Sequence, residues 1–108
     1  MKTSRTALRA ILALLTFLAA PAAHADGDVR CNAGPREAWK PIADLRKKAW
    51  MEGWSVDKIQ IEGDCYEVYA RTEDGQAVEA FFHPATLQKL VVYRRGREIY
   101  RAPGFSPR

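Results

Sequence analysis

Cys65-Tyr66-Glu67-Val68-Tyr69-Ala70-Arg71-Thr72-Glu73-Asp74-Gly75-Gln76-Ala77-Val78-Glu79-Ala80-Phe81-Phe82-His83 is the stretch on which the fold turns. In its first half Tyr66, Val68 and Ala70 alternate with Cys65, Glu67, Tyr69 and Arg71. In its second half Val78, Ala80 and Phe82 alternate with Ala77, Glu79, Phe81 and His83. A period of two is that of a β-strand, whose side chains point to opposite faces in turn. Asp74-Gly75 between the two runs predicts a tight hairpin, because glycine adopts the positive φ that such turns need. Upstream, Gly63-Asp64 reads as a turn and residues 55–62 as a strand. The alternation there slips between Val56 and Ile59, which suggests a bulge or a late start. Downstream, Pro84-Ala85-Thr86 turns the chain into a fourth strand over residues 88–94, and Arg95-Gly96 turns it again. Residues 97–101 read as either a short edge strand or an extension, and residues 104–108 as a frayed end.

Residues 41–52 read as a helix. Ile42, Leu45 and Ala49 share one face, Pro41 suits the first helical position and Gly53 marks the stop. Asp44 precedes Arg46, Lys47 and Lys48, in the order the helix dipole favours. The cationic run reads as a solvated helix face, and Trp50 and Trp54 are expected to pack over the helix end. The expected fold is α+β: one helix packed on a four-stranded antiparallel meander, a two-layer sandwich with a single disulfide.

Residues 1–25 read as an export signal. Lys2, Arg5 and Arg9 precede an apolar run over residues 10–20, Pro21 breaks it, and Ala23-His24-Ala25 has the small-x-small pattern of a cleavage site after Ala25. The run is too short for a stable bilayer span, which takes about 20 residues. Cleavage would remove three of the 17 basic residues and leave 14 against 13 acidic ones, a net charge of +1. Whole-protein charge is then no argument for a nucleic-acid partner. The expected location is periplasmic or secreted. Residues 26–36 are polar, show no periodicity and read as an N-terminal arm. Residues 37–94 form the domain, and 95–108 an arginine-rich extension.

In an exported chain two cysteines pair by default, and a redox couple usually has them close together as Cys-x-x-Cys. Cys31 and Cys65 are therefore expected to form a structural disulfide. Closing a loop of this length contributes roughly 3–4 kcal/mol in the chain-entropy model.

Catalytic groups are scarce. His83 is the one histidine outside the signal segment, beside Pro84 in a turn, so it reads as a surface or capping residue before a base. Ser55 and Ser106 lie outside any nucleophile motif, and no glycine-rich phosphate loop occurs. The expectation is a non-enzymatic protein with no cofactor. If Tyr66, Val68, Ala70, Val78, Ala80 and Phe82 face the helix, Tyr69 and Phe81 lie together on the opposite face with Glu67, Arg71 and Glu79. That set has the composition of a partner-binding surface. The competing reading covers these rings with the arm, tethered through Cys31, or with the C-terminal segment. Arg94, Arg95, Arg97, Arg101 and Arg108 read first as a solvated edge that discourages sheet aggregation; contact with a membrane is the less favoured reading.

Trp39-x-Pro41, Gly53-Trp54-Ser55-Val56, Asp64-Cys65-Tyr66-Glu67-Val68, Asp74-Gly75 and Val78-Glu79-Ala80-Phe81-Phe82-His83-Pro84-Ala85-Thr86, in this order, resemble the PepSY-like domains, small exported domains related to peptidase propeptides. The likeness covers residues 39–92. It departs at one turn: the family pattern Asp-Pro-x-Thr-Gly is here His83-Pro84-Ala85-Thr86-Leu87. The resemblance implies a binding or inhibitory module toward a protease or another envelope or secreted protein, with no catalytic residues to carry over. The alternative is a periplasmic small-ligand or metal sensor using His83 and nearby carboxylates.

Overall fold

The computed structural model describes residues 29–108. The expected signal segment and its cleavage site at Ala25 lie outside the described residues. A turn of 3-10 helix, Arg36–Ala38, leads into helix α1, Ile42–Met51. Five strands follow: β1 Ser55–Glu62, β2 Cys65–Arg71, β3 Ala77–Phe82, β4 Lys89–Arg94 and β5 Arg97–Arg101. They form one antiparallel sheet in chain order. The expected four strands are thus corrected to five, and the fifth lies in the segment read as an extension.

Local chemistry explains each element. Pro41 stands one position earlier than expected, as the N-cap, with its carbonyl accepting the Asp44 N–H at 3.0 Å. The helix closes in a Schellman arrangement: Trp54 N–H donates to Ala49 O, Gly53 N–H to Trp50 O, and Gly53 takes φ 83°. The slip in β1 is a bulge, where the register shifts between Val56 and Lys58. Gly75 takes φ 85° in the β2–β3 turn, and Arg95-Gly96 turns β4 into β5 with both φ values positive.

The strand faces fall as the alternation predicts. Tyr66, Val68, Ala70, Val78, Ala80, Phe82 and Val92 form one core with Leu45 and Leu87, packed against Ile42, Trp54, Val56 and Ile59. Trp54 meets Phe82 edge-on at 6.3 Å. Trp50 does not pack there: it is 73 % exposed. The buried stripe runs through Leu45 and Ala49, and one residue beyond Ala49 the helix has already turned by about 100° toward water.

The opposite face is also covered. Val29, Cys31, Ala33, Cys65, Phe81, Leu90, Val91 and Ala102 form a second core, joined by Tyr93 and Phe105. The arm that showed no periodicity in fact alternates, with Val29, Cys31 and Ala33 buried and Arg30 and Asn32 exposed. The end expected to fray is tied down: Arg30 N–H donates to Pro107 O at 2.8 Å, and Ala102 N–H to Leu90 O at 2.8 Å. Cys31 and Cys65 are bonded, with Cα atoms 5.4 Å apart.

Candidate functional site

Asp64, read from sequence only as a turn residue, holds the arm in place. Its carboxylate accepts the N–H of Cys31 at 2.9 Å and of Ala33 at 3.1 Å. Desolvation pushes its pKa up, but the backbone N–H groups of Cys31, Ala33, Asn32 and Asp64 itself outweigh it and hold the carboxyl below its ordinary value. The cluster Cys31, Asp64 and Cys65 has the composition of a metal site. Both sulfurs are spent in the disulfide, so the set is a structural clasp.

The arm and tail divide the expected site residues. Phe81 and Glu67 are 0 % exposed. Phe81 lies in the second core, edge-on to Tyr93 at 6.1 Å. Glu67 Oε1 accepts the Gln60 side-chain N–H at 2.6 Å. The expectation of an exposed Tyr69–Phe81 pair is therefore corrected, because residues 29–33 and 102–105 pack on the Phe81 end of this face. Tyr69 and Glu79 remain half-buried, and Arg71 is exposed, 4.0 Å from Asp57.

The register explains what stays accessible. Lys58, Tyr69, Glu79, Tyr93 and Glu98 stand opposite one another on five successive strands. They make a row across the sheet, one step removed from the covered Glu67 and Phe81. Lys58 Nζ lies 5.9 Å over the Tyr69 ring. A groove of about 260 Å³ opens here, lined by Tyr69, Glu79, Tyr93, Asp57 and Arg95 among others. Burial, and secondarily Glu98, push the Tyr93 phenol above its ordinary pKa, while Arg101 and Arg108 pull it down. The phenol stays a neutral donor and acceptor at physiological pH. Lys58, Asp57 and Tyr93 were not singled out from the sequence as site residues, and Arg95 was read only as part of a turn and of the arginine-rich edge. Strand registers, which alternation alone does not supply, bring them together.

His83 plays a local role. Its Nδ1 accepts the N–H of Ala85 at 3.1 Å and of Thr86 at 3.3 Å. It thereby caps the turn from the position at which the family pattern has aspartate. Leu87, at the pattern's glycine, takes φ 62° and is buried in the first core. Burial offsets the strain that a side chain meets at positive φ. Lys48 Nζ donates to Leu87 O at 2.5 Å, and Lys40 N–H to Pro84 O at 2.9 Å, so helix and turn are fastened together. With Nδ1 accepting, the ring proton lies on Nε2, so His83 offers no free lone pair to a metal in this arrangement.

Among the described residues no helix is long and apolar enough to cross a membrane. No curated protein and no solved structure matches the chain. A family model described as the peptidase propeptide and YPEB domain matches residues 9–92, from before the described region into β4. It takes in α1, the first three strands and the capped turn; β5 and the tail lie beyond it. The order of motifs around that turn and this match lead to one conclusion: the chain belongs to the peptidase propeptide and YPEB domain family, whose members are generally non-catalytic propeptide or regulatory modules, typically in exported proteins.

Proposed function

We propose that this protein is an exported, non-catalytic binding module that recognises another envelope or secreted protein, a protease being the class the family suggests. The observation that supports this reading is the groove between Tyr69, Glu79 and Tyr93, held on a sheet that is packed on both faces. Two phenols, carboxylates and an arginine at its rim offer donors and acceptors around an apolar floor, the composition of a recognition pocket for a partner side chain. Affinity capture of the oxidised protein from envelope extract of its source, with cross-linking and mass spectrometry, tests it. Tyr69→Ala and Glu79→Ala are the site variants. One partner enriched by the parent and lost with either variant is the expected result. Equal capture by parent and variants sinks the site.

A further inference from the structure

The helix side of the molecule carries a surface that the core leaves unused. Trp50 is 73 % and Met51 71 % exposed, next to each other at the end of α1. Arg46 stands one helical turn before Trp50, and Lys47 one turn before Met51, both exposed. The Schellman closure fixes this end, so the two apolar side chains project from a rigid support. The surface continues onto β5. Lys89 Nζ lies 2.8 Å from the Glu52 carboxylate and 4.8 Å from the centre of the Tyr100 ring, bridging the helix end to the sheet. Tyr100 is opposite Val92, which belongs to the helix-side core, and Arg97 is opposite Arg94, two residues further along the same face of β4.

We propose that this side is a docking surface for an anionic lipid bilayer. Tryptophan and tyrosine rest at the level of lipid headgroups, while arginine and lysine extend long stems toward phosphates. Each cation held near an anionic surface adds to the attraction. A protein partner fits less well. Interface centres are depleted of lysine and rest on a continuous apolar patch, in a contact of about 800 Å² per partner. Here two apolar side chains sit at one helix end among cations. The groove at Tyr69 lies on the other face of the sheet, so this inference stands independently of the reading above.

Co-sedimentation of the full-length, oxidised protein with vesicles tests the proposal. One set contains phosphatidylglycerol with phosphatidylethanolamine, the other phosphatidylcholine alone, both at low salt. Residues 1–25 are common to every variant, so their own lipid affinity cancels from the comparison. Arg46→Glu and Lys47→Glu should each weaken partition into the anionic vesicles by about fivefold or more, and Trp50→Ser should weaken it further. Arg30→Glu changes charge equally on the covered side of the sheet and should leave partition within about twofold. The substituted side chains are exposed, and thermal unfolding of each variant confirms the fold. The proposal is overturned if the helix substitutions leave partition into the anionic vesicles unchanged, or if Arg30→Glu weakens it as much as they do. An acidic protein as the true occupant gives the first of these results.

Discussion

Phe81 and Tyr69 differ by a single step across the sheet, yet they belong to different parts of the molecule. Phe81 is sealed under Cys31, Ala102 and their neighbours, whereas Tyr69 stands in the open row. Truncating a fully buried phenylalanine removes its transfer energy and leaves a cavity, so Phe81→Ala should cost about 3–5 kcal/mol. Tyr69→Ala should cost about 1 kcal/mol, as is usual for a half-buried site. Urea unfolding of both variants checks the difference; near-equal losses would show that the arm does not seal Phe81. The alternation placed both rings on one face but carried no information about what lay over that face. Asp64 makes the second prediction at this scale. Its folded pKa is depressed, so its contribution is complete above the unfolded value of about 3.9 and is lost as pH falls through the folded value. Asp64→Asn should therefore cost about 1–2 kcal/mol at neutral pH and progressively less toward pH 2. A variant whose deficit does not change with pH would mean that the carboxylate charge is not what holds the arm.

The β4–β5 hairpin was the least legible element. Residues of β5 are exposed throughout, as befits an edge strand, so Arg-Glu-Ile-Tyr-Arg shows no alternation to read. A bulge between β4 and β5 further scrambles the pattern by shifting the register after Val92. By contrast the alternation in β2 and β3 assigned residues to the right faces, Val68 and Phe82 to the helix-side core and Cys65 and Phe81 to the other, although burial runs almost unbroken along both strands because both faces are covered. The turn itself was visible through Gly96. The structure adds that Arg95 also takes positive φ, at 51°. Two successive residues with positive φ define the hairpin turn that favours Asn-Gly. Arg95→Asn should accordingly stabilise the protein by about 0.5–1 kcal/mol, seen as a higher urea midpoint with an unchanged slope. Loss of stability would indicate that the arginine side chain, at the rim of the groove, makes a contact worth more than the strain it imposes.

At the scale of the whole molecule, the chain closes both faces of its sheet by different means. A helix covers one face by burying a periodic stripe. The arm and tail cover the other with few side chains, fastened by the disulfide, by Asp64 and by the Arg30–Pro107 hydrogen bond. Periodicity revealed the first closure; the second left only the short alternation of Val29, Cys31 and Ala33 with Arg30 and Asn32, and what those residues pack against depends on contacts between the two ends of the domain. Cys31 is covalently held, and Asp64 accepts the backbone N–H groups of Cys31 and Ala33, so the two fastenings act on the same short arm. Replacing both cysteines by serine should cost roughly 3–4 kcal/mol, the loop-closure contribution. If the arm then leaves the sheet, Asp64 loses its N–H partners and its substitution has little left to remove. A double-mutant cycle combining the serine pair with Asp64→Asn should show a coupling of about 1–2 kcal/mol, with the combined loss smaller than the sum of the separate ones. Strict additivity would mean that the arm stays seated without its disulfide, held by Asp64 and the tail alone. In that case closure of the second face would be a property of packing that the covalent bond merely reinforces.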